Sequence, residues 1–89
     1  MLPEAVRTLD GFNGGATTDG TVTGLVQRFR HSTCIDLSGC SNLTDAAIVA
    51  VAEKCRNLAS LNVRGCRNLT DAAIGALKQR LLGCEVSHY

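Results

Sequence analysis

The segment Ser38-Gly39-Cys40-Ser41-Asn42-Leu43-Thr44-Asp45-Ala46-Ala47-Ile48 returns, at a 26-residue offset, as Arg64-Gly65-Cys66-Arg67-Asn68-Leu69-Thr70-Asp71-Ala72-Ala73-Ile74. Of the twelve positions 39 to 50, ten carry the residue found one period further on. A repeat at this period specifies one supersecondary unit several times over, and each unit buries its apolar face against the next. The same register reaches back to a worn third copy. Thr18-Asp19 stands one period before Thr44-Asp45, and Leu9-Asp10 one period before Ile35-Asp36. In this copy Asn13-Gly14 replaces Gly-Cys, and atypical repeats of this sort belong at the end of an array.

Two periodicities run through each copy. Leu58-x-x-Leu61-x-Val63-x-x-Cys66 alternates through Leu61 and Val63, the pattern of a short strand with one buried face. After each Thr-Asp the apolar residues fall at helical spacing: Val22, Leu25, Val26 and Phe29, then Ile48, Val51, Ala52 and Cys55, then Ile74, Leu77 and Leu81. Thr44 and Thr70 are suited to cap helix N-termini, and the acid that follows each suits the positive helix end. Gly83, just beyond Leu81-Leu82, reads as a stop for the last helix. Strand then helix at a 26-residue period predicts an α/β solenoid, with short parallel strands on a concave side and helices on a convex side. The expected organisation is one domain over residues 1–89: a degenerate repeat over 9–33, repeats over 34–59 and 60–85, and a short closing strand within 84–89.

Bulk properties narrow the function classes. No apolar run approaches the roughly 20 residues of a membrane-spanning helix, and Met1 to Arg7 contain no signal-type apolar segment. Net charge is +1, and the basic residues of the second half (Lys54, Arg56, Arg64, Arg67, Lys78, Arg80) are interleaved with acids and lack aromatic neighbours. The expectation is no nucleic-acid and no membrane partner. Five cysteines, Cys34, Cys40, Cys55, Cys66 and Cys84, form no Cys-x-x-Cys pair, so no zinc site is expected. Their odd number points to reduced thiols in the cytoplasm or nucleus.

The Leu58-x-x-Leu61-x-Val63-x-x-Cys66 pattern and the Gly-Cys-x-Asn-Leu-Thr-Asp-Ala-Ala-Ile blocks resemble the cysteine-containing leucine-rich repeats. These repeats occur in F-box proteins with leucine-rich repeats and in related mitotic-exit antagonists. The resemblance covers residues 32 to 82 strongly and 9 to 31 weakly. It implies a curved scaffold that recruits a protein, in the ligase members a substrate for ubiquitin transfer. Leu2-Pro3-Glu4 resembles the opening of an F-box, but repeat-like sequence begins within a few residues, so a ligase role is left open.

Residue by residue, the chemistry is that of a binding module and not an enzyme. Cys40 and Cys66 follow the strand, where a small thiol is expected buried with its S–H toward the backbone of the turn. Cys34 aligns with the polar position of Ser60, with no basic partner placed by sequence to activate it. His31 and His88 belong to no recognisable catalytic or metal pattern. Asn13-Gly14-Gly15 lacks the lysine and spacing of a phosphate loop. No cofactor, metal or small-molecule substrate is expected.

If Ile35, Leu37, Leu61 and Val63 point inward, strand alternation turns Cys34, Asp36, Ser38, Ser60, Asn62 and Arg64 to the concave side. These outward residues differ between copies while the frame around them is constant, as expected of a scaffold with a variable protein-binding face; surface drift gives the same pattern. Arg64 and Asp36 are the expected main contributors to binding. The alternative is a structural subunit of a larger assembly, held through its ends or helices. Ends with open sheet edges and apolar layers would also favour a homo-oligomer.

Overall fold

A computed structural model of the chain describes residues 8–10 and 16–88. Leu2-Pro3-Glu4 and Asn13-Gly14-Gly15 lie outside the described residues. Strand and helix alternate throughout: β1 (Thr8–Leu9), α1 (Asp19–Arg28), β2 (Cys34–Asp36), α2 (Asp45–Lys54), β3 (Ser60–Asn62), α3 (Asp71–Arg80) and β4 (Glu85–Ser87). The four strands form one parallel sheet in sequence order, β1-β2-β3-β4. The fold is therefore α/β, with each strand paired to the strand one repeat away.

Pairing follows the sequence period. Thr8 pairs with Cys34 and Cys34 with Ser60, each a full period on. The last step is one residue shorter, since Ser60 pairs with Glu85. Ile35, Leu37, Leu61 and Val63 are buried as the alternation predicts, and they pack with Val22, Val26, Ile48, Val51, Ile74 and Leu77 of the helices in one core. The strands bury their apolar face under the helices and leave the other face exposed.

Each helix starts at the threonine that the sequence marks. Thr18, Thr44 and Thr70 are extended N-caps whose hydroxyl oxygens accept from backbone N–H groups of the first turn. The acid after each of the first two threonines also reaches across to the next unit. Asp19 accepts both the backbone N–H (2.8 Å) and the hydroxyl (2.6 Å) of Thr44. Asp45 does the same for Thr70, at 2.9 Å and 2.8 Å. Local sequence accounts for this acid as a complement to the helix dipole, and the second role becomes visible only when the units are stacked.

Helix exits differ from expectation. Gly83 is not in the left-handed region, where among the described residues only Gly39 and Gly65 are found. Each helix ends instead on a residue that packs on the core, Phe29, Cys55 or Leu81, whose N–H bonds back to Leu25, Val51 or Leu77. A second turn follows each time, with Ser32, Leu58 and Cys84 donating to the carbonyls of Phe29, Cys55 and Leu81. An apolar anchor and a repeated turn thus take the place of a C′ glycine. Glycine is required instead at Gly39 (φ 77°) and Gly65 (φ 80°), where the chain leaves the strand. A Cβ at Gly65 would also stand 3.4 Å from the backbone of Gly39, because the two turns stack on one another.

All five cysteines are free thiols, with Cys34 exposed and the other four buried. The Cys66 thiol donates at 3.0 Å to the carbonyl of Leu37, in the preceding unit and not in its own turn. Cys55 likewise reaches the Phe29 carbonyl of the preceding unit, at 4.0 Å. The outer units are also better filled than the sequence suggests. Leu9, Val22 and Val26 at one side, and Leu77, Leu81 and Cys84 at the other, are all buried. Leu82, in the last unit, stays 88% exposed.

The clamp and the buried thiols each have a consequence for stability. Asp45→Asn should lower unfolding free energy by about 1–2 kcal/mol, since one of the two accepting oxygens becomes an NH2 group and the bond that remains loses its charge assistance. Asp71→Asn removes the same helix-start charge, but no described residue bonds to Asp71, so its effect should stay within about 0.5 kcal/mol. Urea titration of both variants measures the difference, and equal losses would refute the cross-unit role. Burial pushes the Cys55 thiol up to about 11, and it also raises Cys40, Cys66 and Cys84. The folded chain then keeps thiol protons that the unfolded chain releases near pH 8.5–9. Stability should be full below about pH 8 and fall as pH climbs through 9 toward 11, by on the order of 2 kcal/mol for Cys55. Urea midpoints across that range test it, and Cys55→Ala should flatten the decline.

Candidate protein-binding face

The exposed side of the sheet is built from the residues that alternate with the core. Cys34, Asp36, Ser38, Ser60 and Arg64 are exposed and Asn62 is half-buried, while Ile35, Leu37, Leu61 and Val63 beneath them are buried. All six expected residues therefore share one face. Register sorts them into rows across the sheet. Thr8, Cys34, Ser60 and Glu85 form one row, and Asp36, Asn62 and Ser87 the next. Ser38 and Arg64 stand beyond them, where the Gly39 N–H donates to the Arg64 carbonyl at 2.7 Å and holds the two turns together.

Thr8, Glu85 and Ser87 join this face although alternation within the two good repeats does not include them. The 26-residue register places Thr8 beneath Cys34. Glu85 and Ser87 are obscured because the last step falls one residue short of the period. That shifts a simple alignment by one and would turn each side chain to the wrong face.

Two of the six residues also shape the backbone. Asp36 Oδ1 accepts from the N–H of Ser38 at 3.0 Å, and Asn62 Oδ1 accepts from the N–H of Arg64 at 3.0 Å. Asp and Asn make this turn equally well because each offers a carbonyl-type oxygen two residues before the donor. What differs between the two positions is the charge presented outward.

The face is small. Four strands about 4.8 Å apart and five residues about 3.3 Å apart cover on the order of 200 Å². A standard interface uses roughly 800 Å² per partner. The strip alone falls short of that area.

Other chemistry-bearing residues lie apart. His31 is exposed in the turn after α1 and His88 is half-buried after β4. Among the described residues no group of three or more His, Cys, Asp or Glu is placed to hold a metal ion. No described helix is long and apolar enough to cross a membrane. Comparison with known proteins finds no matching family model and no matching curated protein.

The turn bonds predict how the face tolerates mutation. Asp36→Asn keeps the oxygen that accepts from Ser38 and should leave stability within about 0.5 kcal/mol. Asp36→Ala removes that acceptor and should cost about 1 kcal/mol. Thermal melts of the two variants check the ordering, and an Asn variant as unstable as the Ala variant would refute it.

Proposed function

We propose that the chain is a cysteine-containing leucine-rich-repeat solenoid that serves as a non-catalytic protein–protein interaction scaffold. In this reading it resembles the substrate-recognition elements of SCF-type ubiquitin ligases, and the exposed sheet face meets the partner. The observation that carries the reading is the contrast between paired positions. Residues with bonds or core contacts to keep are the same or equivalent in both good repeats: Ile35 and Leu61, Gly39 and Gly65, Cys40 and Cys66, Thr44 and Thr70. Outward side chains that belong neither to the core nor to the paired turn bonds diverge: Cys34 against Ser60, and Ser38 against Arg64. A reducing compartment, cytoplasmic or nuclear, belongs to the same reading because the cysteine count is odd.

The smallness of the face supports a second reading, that of a structural subunit fixed in a larger assembly. In that case the contacts are the helix layer and the outer edges of β1 and β4, which lie at the two ends of the strand order. A homo-oligomer through those edges is one form of it.

Affinity capture of the tagged chain from its native extract, read by mass spectrometry, separates the two readings. The second bait carries Asp36→Asn and Arg64→Glu, which alter outward charge and keep the Ser38 turn bond. Proteins captured by the unaltered chain and lost from the variant are the expected result for recognition by the sheet face. A fixed set retained by both baits would favour the structural subunit.

A further inference from the structure

The α2–α3 junction is more open than the α1–α2 junction, although the repeat brings equivalent positions to both. Ala47 and Ala50 are buried in α2, whereas their counterparts in α3 are less covered, Ala73 half-buried and Ala76 exposed. The opening is a groove of about 70 Å³. Ile48, Val49 and Ala52 line it from α2, and Ala73, Ala76 and Leu77 from α3, with Arg80 at its rim as the one charged residue. Val49 is 50% exposed, and the worn first repeat has Thr23 in the equivalent place.

The rim belongs to a wider basic edge. The period that stacks the helices also stacks the cations at their C-terminal ends. Arg28, Lys54 and Arg80 occupy one position of the repeat, and Arg30 and Arg56 another, with Lys78 close by. These are six of the nine Lys and Arg residues of the chain, all exposed, with Glu53 the single acid among them. A cation in the last helical turn is accounted for by the helix dipole. Arg56 also donates to the Glu53 carbonyl at 3.3 Å, and Arg28 lies 5.8 Å from the centroid of the Phe29 ring. Among the described residues Arg80 and Lys54 make no such contact.

The net charge of +1 conceals this edge. Asp19, Asp45 and Asp71 stand at the opposite ends of ten-residue helices, about 15 Å away. That exceeds the screening length of about 8 Å at physiological salt. Two of the three acids are also engaged by threonines. A ligand at the basic edge therefore meets a positive field.

We propose that the α2–α3 groove and its basic rim bind an acidic polypeptide segment. An aliphatic side chain of the segment enters the groove, and neighbouring carboxylates meet Arg80 and Lys54. Leu82, 88% exposed in the position that Arg30 and Arg56 hold in the earlier units, offers a second apolar contact. A polynucleotide would leave the apolar groove unused and would find few aromatic side chains for its bases, since aromatic content is 3%. A lipid surface would match projecting apolar residues better than a recess between two helices. This surface lies on the helix layer, so it can fail or hold independently of the sheet-face reading.

The test is a titration of the isotope-labelled full chain followed by NMR amide shifts. The probe is a short synthetic peptide with one leucine flanked by glutamates. Two matched peptides replace the glutamates with glutamine or the leucine with serine. Shifts are expected at Val49, Ala52, Ala76 and Arg80. Affinity should fall roughly fivefold with the glutamine peptide or with Arg80→Glu, and about tenfold with the serine peptide. Val49→Ser, at a half-exposed position that tolerates a small polar residue, should weaken binding without unfolding the chain. Shifts confined to the sheet face, or equal affinity for all three peptides, would overturn the proposal. Tighter binding to oligothymidylate or to phosphatidylserine-containing vesicles than to the peptide would overturn it too.

Discussion

Each of Asp19 and Asp45 holds two donors of the next threonine cap, and this clamp fixes one strand–helix unit on another. One carboxylate opens its own helix, where negative charge is favourable, and closes the start of the following helix. Because the clamp joins equivalent points of consecutive units, it carries the 26-residue sequence period into space. The parallel strand register and the stacking of Gly39 under Gly65 agree with that spacing. Side chains at equivalent positions then form rows, and both candidate surfaces consist of such rows.

Much of this is legible in the sequence because it depends on local pattern. The Thr-Asp pairs mark the three helix starts, and the alternation around Leu61 and Val63 marks a strand with one buried face. Of the six residues expected on the outward side of the strands, five are exposed and Asn62 is half-buried. Contacts between units are harder to read. Asp19 and Asp45 look like dipole acids in isolation, and the Cys66 thiol has no way to announce the Leu37 carbonyl of the unit before it. The Gly83 stop fails for a related reason: a core-packed Leu81 ends the helix, and core packing is decided by the neighbouring units. Asp36 reads in sequence as a binding charge alone, because its bond to the Ser38 N–H depends on the turn held open by Gly39.

Charge shows the same difference between chain order and space. Along the sequence, cations and acids are interleaved in short runs, and the sum of +1 suggests a featureless surface. Folding sorts them, because the repeat places acids at helix starts and cations at helix ends in every unit. Ten-residue helices hold the two groups farther apart than salt lets them interact. A net charge reports solubility well and reports local recognition poorly when a period of this kind segregates its signs.

The two surfaces lie in different layers of a thin body, one on the sheet and one between helices, and the smallest extent of the molecule is 17 Å. Neither reaches the area of a standard interface alone. Two weak contacts gain from being joined: once one is made, the second forms at the effective concentration set by the rigid distance between them. The clamps and the buried frame keep that distance constant. A partner that folds around an edge of the body could engage both surfaces, as could two partners held at fixed separation. Under either arrangement, in the proposed reading, the stacked frame supplies the rigidity and the divergent outward residues the selectivity.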